Sequence, residues 1–157
     1  MLKELGKYKH NFKKALYSSD KIRRILLEEN YTDMPESEIC KELDKYIFSH
    51  LYIDDLVDEE KTYIFFDVRM PHFGSSIKNC DITMFLICHK NIVDNYYDKN
   101  YYGNRTDILT QYLEEILEQE DVKNKFGIGS IQITNLDIYN NTKFYGRILG
   151  LSVPNFR

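Results

Sequence analysis

The residues of this chain that could take part in catalysis or metal binding are few, and their spacing does not bring them together. Cys88 and His89 are adjacent in the segment "CDITMFLICHK", which alternates as a β-strand does. Neighbouring residues of a strand point to opposite faces, so these two cannot form a nucleophile–base pair, or a metal site with Cys80. We predict that Cys40, Cys80 and Cys88 are reduced core thiols. The histidines have no partner at a useful spacing and are predicted to be ordinary polar residues: His10, His50, His72 and His89.

Two further patterns look like ligand sites but favour structural roles. Gly127-Ile128-Gly129 follows a predicted helix and precedes a predicted strand, whereas a phosphate-binding glycine loop lies between a strand and a helix N-terminus. Acidic residues are grouped within residues 54–60 and 114–121, but they are nearly consecutive on solvated segments and do not converge as metal ligands must. We therefore predict no catalytic residue, no cofactor and no metal, in a protein that is not an enzyme.

The composition is typical of a single globular domain. The chain has 157 residues, of which 43% are hydrophobic and 29% charged, and its net charge is −4. This acidic balance differs from that of nucleic-acid-binding proteins. The N-terminus has no apolar signal-like segment, and no apolar run reaches the roughly 18 residues of a membrane span. We expect a soluble, intracellular protein with no membrane contact.

The N-terminal third is predicted to be helical. The first 19 residues contain five lysines and one glutamate, and we predict a basic arm or short helix there, outside a single α+β domain over residues 20–157. That domain begins with two helices, "KIRRILLEEN" and "ESEICKELDKYIFSHLYI", whose apolar residues recur at helical spacing. Met34-Pro35 separates them, and the second helix is predicted to extend to Leu51.

The remaining segments predict a sheet and one further helix. "KTYIFFDVRMP" and "CDITMFLICHK" alternate as strands and form an antiparallel hairpin, with the second in the centre of the sheet because it is apolar on both faces. Residues 104–120 form a helix with Asn104 as its N-cap and Asp107 three residues on. "GIGSIQITNLDIY" and "KFYGRILGLSVPNFR" make a second hairpin. The order predicts an α+β fold, with about four antiparallel strands and the helices on one face.

Three segments in this order resemble small phage neck proteins, the tail terminators and related head–tail joining proteins of long-tailed phages and phage-tail-like particles. "YGNRTDILTQYLEEIL" is similar to the "R-x-D-x-[IL]" helix of that family, "FGIGSIQI" to its "GIGKLxL"-like strand and "FYGRILGLSV" to its closing "YxGRxLxF" strand. "CDITMFLICHK" and "DKIRRILLEEN" fit its central strand and first helix. The resemblance spans about residues 20–153. Two features depart from it, because Ser130 stands where the family has Lys and the lysine-rich N-terminus lies outside the pattern.

The resemblance implies a structural virion protein without enzymatic activity. Such proteins form a ring, commonly a hexamer, that caps the tail tube and joins it to the head connector, in a neck assembled in the host cytoplasm. The implied partners are further copies of the chain, the tail tube protein, the head–tail connector protein and, in a contractile tail, the sheath protein, while DNA only passes through the lumen. A connector or stopper of the same neck is the nearest alternative, and a small intracellular binding or regulatory module is a more distant one.

Aromatic loops and charged segments are the candidate contact regions. Protein interfaces are rich in tyrosine, and two predicted loops supply aromatic residues, although a tyrosine-rich composition produces the same pattern. The basic N-terminal segment and the acidic helix face are candidate complementary patches between copies, and an acidic protein is a better partner for the basic segment than DNA. The candidate contact residues are Phe73, Lys78, Tyr96, Tyr97, Tyr101, Tyr102, Glu114, Glu118, Lys9 and Lys13.

Overall fold

The structure is a computed structural model and describes residues 2–28, 31–51, 59–69, 80–119 and 131–153. The helices in these ranges are α1 (Leu2–Ser18), α2 (Asp20–Leu27), α3 (Glu36–Leu43) and α4 (Arg105–Glu118), with a 3₁₀ turn at Lys90–Ile92. The strands are β1 (Ile47–Phe48), β2 (Thr62–Arg69), β3 (Cys80–His89), β4 (Gln132–Asn140) and β5 (Phe144–Val153).

The strands form one mixed sheet in the order β1-β2-β3-β5-β4. β2 pairs antiparallel with β3, β5 pairs antiparallel with both β3 and β4, and β1 is parallel to β2. The α+β class, the two antiparallel pairs and the central position of β3 are therefore confirmed.

The sheet has a fifth strand where the sequence predicts the end of a helix. α3 ends at Leu43 rather than near Leu51, and β1 pairs in parallel with residues 64–65 of β2. The sheet is thus mixed, whereas the sequence predicts a purely antiparallel sheet. The run Tyr46-Ile47-Phe48 is aromatic and β-branched, which gives it low helix propensity, and pairing with a buried strand stabilises it in the extended form.

Helices α1, α2 and α4 pack on one face of the sheet. α1 and α2 contact β2, α4 contacts β3 and β5, and α2 lies between α1 and α4 because it contacts both. The core fills the space between these helices and the alternate strand residues that face them. In β3, for example, Ile82, Met84 and Leu86 are fully buried, and the rings of Phe12 in α1 and Phe66 in β2 are 5.0 Å apart.

The basic N-terminal segment forms α1 and contributes to the core. Tyr8, Phe12 and Leu16 recur at helical spacing and are all buried. They belong to the same hydrophobic cluster as the buried residues of the sheet. The segment is therefore a packed helix rather than an extended arm, and only its outer side faces solvent.

Candidate interaction surfaces

α4 begins with a complete capping box. The side chain of Asn104 accepts hydrogen bonds from the backbone N–H groups of Thr106 (3.0 Å) and Asp107 (3.1 Å). In return, Asp107 Oδ2 accepts a hydrogen bond from the N–H of Asn104 at 3.0 Å. Gly103 precedes the cap with φ +100°, a conformation that side-chain-bearing residues rarely adopt. These contacts satisfy N–H groups that the first helical turn leaves free, and they fix where α4 starts.

Arg105 is buried where α4 meets three other parts of the fold. Only 3% of it is exposed. Its Nε donates to Ile92 O at 3.1 Å, and its Nη1 donates to Ile25 O at 3.1 Å and to Thr62 Oγ1 at 3.4 Å. Glu28 Oε1 lies 3.9 Å from its Nη2. Burial lowers the pKa of Arg105, but a guanidinium stays protonated at neutral pH. Arg105 therefore ties α4 to α2, β2 and the 3₁₀ turn.

A salt bridge joins the helix and the closing strand of the phage-like sequence pattern, which are α4 and β5. Arg147 Nη2 lies 2.9 Å from Asp107 Oδ1. The neighbouring Gly146 lets β5 approach β3 closely, because a Cβ at this position would lie 2.0 Å from the carbonyl oxygen of Leu86. The segments "GNRTD" and "YGR" thus join α4 to the sheet. Their characteristic residues have structural roles.

A network of tyrosines and charges lies between α2, α4 and the loop before α4. The Tyr112 hydroxyl donates to Asp98 Oδ2 at 2.6 Å, and Arg24 Nη2 lies 3.1 Å from the same oxygen. The hydroxyls of Tyr96 and Tyr112 are 3.1 Å apart, and the ring of Tyr101 stands edge-on to that of Tyr112. The hydrogen bond from Tyr112, with the charge of Arg24, holds the pKa of Asp98 below its usual value. Burial raises the pKa of Tyr112, so this phenol stays protonated.

Lys21 extends the network along α4. Its Nζ lies 2.8 Å from Glu115 Oε2 and 4.9 Å from the ring centre of Tyr101, to whose hydroxyl it also donates. Partial burial raises the pKa of Glu115, but hydrogen bonds from Lys21 and Tyr101 outweigh this effect and lower it. Clefts of about 350 and 730 Å³ lie beside the network. The charged groups of the network are thus paired with one another within the chain.

The predicted aromatic contacts divide into two groups. Tyr96 and Tyr101 are half-buried and belong to the network of α2 and α4. Tyr97 and Tyr102 are 84% and 81% exposed. Phe73 lies outside the described residues. Within the described part of this set, Tyr97 and Tyr102 are the two tyrosines that are free to contact another molecule.

The predicted basic contacts are partly engaged within the chain. Lys9 Nζ lies 2.6 Å from Asp67 Oδ1, and Lys13 Nζ lies 3.7 Å from Asp44 Oδ1. Both lysines are half-buried. Lys78 lies outside the described residues. Lys9 and Lys13 therefore help to hold α1 against its own fold.

The outer sides of α1 and α4 carry opposite charges. Lys3, Lys7 and Lys14 are exposed on one side of α1, and no ion pair joins them to any residue that the structure describes. Glu114 and Glu118, both predicted contacts, are exposed one turn apart on α4. α1 lies over β2 and α4 lies over β3 and β5, so the exposed lysines and the exposed glutamates belong to different helices of the same layer. Lys14 faces the cleft between α1, α2 and α4, whereas Glu114 and Glu118 lie outside the lining of that cleft.

β4 is an edge strand with an exposed apolar row. Ile133, Leu136 and Ile138 are 46%, 55% and 55% exposed. Their partners lie within residues 147–151 of β5, on the face that α4 covers, and directly paired residues share a face. The row therefore faces the helical side of the sheet, one strand beyond the strands that α4 contacts.

Two features are not evident from the sequence patterns: the exposed apolar row on β4 and the hydrogen bond that the Tyr112 hydroxyl donates to Asp98. Tyr112 falls on the apolar stripe of α4, and nothing in its spacing reveals a hydroxyl bonded to Asp98. On β4, a bulge between Ile133 and Asn135 changes the alternation, so that Ile133 and Leu136 share a face although three positions separate them. This irregular spacing is the signal in the sequence that marks the strand as unusual.

Of the three cysteines predicted to be core thiols, Cys80 and Cys88 are buried and Cys40 is half-buried. No group of three or more His, Cys, Asp or Glu side chains among the described residues is placed to hold a metal ion. The cysteines are free, and burial raises the pKa of both Cys80 and Cys88 to about 12, which makes them poor nucleophiles at neutral pH. Among the helices described here, none is long and apolar enough to cross a membrane. Gly127-Ile128-Gly129 and His72 lie outside the described residues.

These features define a small α+β protein whose motif residues hold the fold together and which leaves several large hydrophobic side chains exposed. The sequence model of the YomW family matches residues 11–153, and the chain belongs to this family. The family is phage-derived, in agreement with the phage origin that the sequence resemblance implies. No curated protein gives a significant match to the chain.

Proposed function

We propose that this phage-derived protein is a structural component of the virion neck, the tail terminator that caps the tail tube as a ring and joins it to the head connector. The observation that carries the proposal is a set of large hydrophobic side chains left exposed on a fold with a well-packed core. They lie in the loop before α4 and on the edge strand β4. The five residues are Tyr97, Tyr102, Ile133, Leu136 and Ile138.

Exposed residues of this kind favour association with other proteins. Large apolar side chains on an open sheet edge are unfavourable in water and are typical of surfaces that a partner covers. A subunit that carries opposite charges on two separate surfaces can associate head to tail, and such contacts close into a ring when the rotation between subunits allows it. The ring is expected to be a hexamer that contacts the tail tube protein and the connector protein, and the sheath protein in a contractile tail.

The proposed role needs a rigid subunit and no reaction. The capped α4, held by Arg105 and by the Asp107–Arg147 salt bridge, supplies a fixed helix beside the edge strand. A ring that sits at the neck of the virion lets DNA pass through its lumen, and neither a cofactor nor a metal is required.

A phage that lacks the gene tests this proposal. We expect tails of abnormal length that do not join heads, and recovery of joined particles when the wild-type protein is supplied from a plasmid. Electron microscopy of the recovered particles should place the protein at the head-proximal end of the tail. Tails of normal length that join heads without the protein contradict a neck role. Normal tails that fail to join heads, with the protein located on the connector, indicate the connector or stopper instead.

A further inference from the structure

We infer that α1 of one copy docks into a recess on the next copy, formed by the outer side of α4 and the exposed face of β4. The inference rests on the proposed ring and names the contact between its subunits. Glu114 and Glu118 form the acidic wall of the recess. Ile133, Leu136 and Ile138 form its apolar floor.

The wall is on the side of α4 that points towards the edge of the sheet. Asp107 Oδ1 lies 2.9 Å from Arg147 Nη2 of β5, which shows where this side of the helix points. Glu114 and Glu118 follow Asp107 by seven and eleven residues, and at 3.6 residues per turn each returns to within about 20° of the same side. Glu115 lies on the other side, where a lysine of α2 pairs with it at 2.8 Å.

The floor lies directly beside this wall. Ile138 is paired with Arg147, the residue that α4 contacts, and Leu136 is paired with Leu149, which is buried beneath the helical layer. β4 lies about 4.8 Å farther out than β5, so its apolar row forms a ledge next to α4. A partner for this surface must cover the apolar floor with aliphatic groups, such as the methylene stems of lysines, and bring positive charge to the acidic wall.

The outer side of α1 fits the recess in charge and in length. Lysine stems lie on apolar surface while their ammonium groups reach an acidic wall. Lys3 to Lys14 spans roughly 16 Å along the helix axis, and Ile133 to Ile138 spans roughly 16 Å along the strand. The exposed residues of α1 whose burial the structure describes are Lys3, Gly6, Lys7, His10, Lys14 and Ser18, and none of these is acidic.

A copy cannot fill its own recess. α1 lies over β2, whereas the recess is at β4, three strands away across the sheet, or about 14 Å. Each copy therefore offers one α1 and one recess at different places on its surface. A contact between different surfaces of successive copies repeats head to tail, as a ring requires.

Charge exchange tests the contact. Lys7→Glu with Lys14→Glu replaces two positive charges of α1 with negative ones. We expect the Kd of self-association of this variant to rise by roughly tenfold or more. Glu114→Lys with Glu118→Lys makes the wall basic and should have the same effect. An equimolar mixture of the two variants, or a chain with all four substitutions, should regain self-association. Sedimentation equilibrium of the full chain up to about 1 mM measures each state.

Two further variants distinguish loss of the contact between α1 and the recess from the effects of a changed net charge or a changed stability. Lys41→Glu with Lys99→Glu makes the same charge change on exposed residues outside both surfaces and should associate as the wild type does. Leu136→Thr keeps a β-forming residue but removes apolar floor, so it should weaken self-association and leave the unfolding midpoint unchanged.

The possible outcomes distinguish failure of the proposed contact between copies from failure of the proposed function in the neck. A wild-type chain that stays monomeric at about 1 mM, or charge variants that associate as it does, overturns the inference. A Leu136→Thr variant that loses stability but not association also overturns it, because the row is then covered within one chain. If the phage without the gene makes normal particles while charge exchange behaves as expected, the neck role fails and the contact stands.

Discussion

Arg105 donates hydrogen bonds to carbonyl oxygens of α2 and the 3₁₀ turn and to a hydroxyl of β2. Lysine at this position keeps the charge but loses the planar fork that reaches several acceptors. We expect Arg105→Lys to lower the free energy of unfolding by about 2–3 kcal/mol in urea titrations. Arg69→Lys, at an exposed position, is the control and should change it by less than about 0.5 kcal/mol. Equal effects would show that the buried hydrogen bonds of Arg105 are dispensable.

Gly146 lies where β5 approaches the backbone of β3 closely. A Cβ would lie 2.0 Å from the backbone oxygen of Leu86, so Gly146→Ala forces β3 and β5 apart. We expect a loss of several kcal/mol in the free energy of unfolding, or no folded protein. Gly6→Ala is the matched control: nothing lies within 4 Å of its Cβ, and alanine on a helix should stabilise by about 0.5–1 kcal/mol. A stable Gly146→Ala variant would contradict the β3–β5 pairing.

The Tyr112–Asp98 hydrogen bond predicts a pH-dependent stability. The folded-state pKa of Asp98 is below its ordinary value of 3.8, so this contribution is present above pH 3.8 and is lost as the pH falls through the folded-state pKa. Tyr112→Phe should cost about 1–2 kcal/mol at neutral pH, and its difference from the wild type should shrink at about pH 3. Urea titrations at both pH values measure this. Tyr97→Phe, at an exposed residue, should show neither effect.

Among the helices and strands, α1 differs most from the role that its positive charge suggests, which is a basic segment outside the folded domain. A separable basic arm could be removed without loss of stability, but α1 buries Tyr8, Phe12 and Leu16. We expect deletion of residues 1–17 to lower the free energy of unfolding by several kcal/mol or to prevent folding. Differential scanning calorimetry compares it with the full chain.

The outer side of α1 supplies the control for this deletion. Lys3, Lys7 and Lys14 are exposed, so replacing all three with alanine should leave the melting temperature nearly unchanged. Self-association should nevertheless weaken, because these lysines face the neighbouring copy in the proposed ring. A truncated chain that melts as the full chain does would contradict the packing of α1 in the core.

On the scale of the whole molecule, the net charge is −4, but exposed positive charge is concentrated on α1 and exposed negative charge on α4. Contacts between exposed charges weaken as salt shortens their range, from about 14 Å at 50 mM to about 4 Å at 500 mM. We expect self-association to weaken severalfold over this range in sedimentation experiments. The chain with all four charge exchanges should show the same dependence, and the Lys7→Glu, Lys14→Glu variant should not. Association that is independent of salt would favour a contact made by the apolar row alone.

Much of the fold could be predicted from the sequence because its signals are local. The capping box of α4 joins residues three positions apart, and the stripe that includes Ile108, Leu109 and Leu113 repeats every turn. β2 and β3 show alternation at every second residue, and a short connection favours antiparallel pairing. Interactions of this range are set by neighbours along the chain, and in these elements the tertiary contacts agree with them.

The candidate surfaces depended on elements that are distant in the sequence. Tyr97 and Tyr102 were predicted as contacts and are exposed, but the same pattern also predicted Tyr96 and Tyr101, which pack against Tyr112. Spacing along a loop cannot separate these pairs. The difference arises because α2 and α4 bring Arg24, Lys21 and Tyr112 to one side of the loop only.

The sequence by itself determined the class of fold, the helix α4 and the antiparallel pairs, because periodicity and capping are properties of a few consecutive residues. Only the tertiary structure decided that residues 47–48 form a strand, that Arg105 is buried and that the apolar row of β4 is exposed. Each of these depends on which surfaces meet: β2 offers an edge to β1, α2 and β2 enclose Arg105, and α4 lies over β3 and β5 but leaves β4 at the open edge.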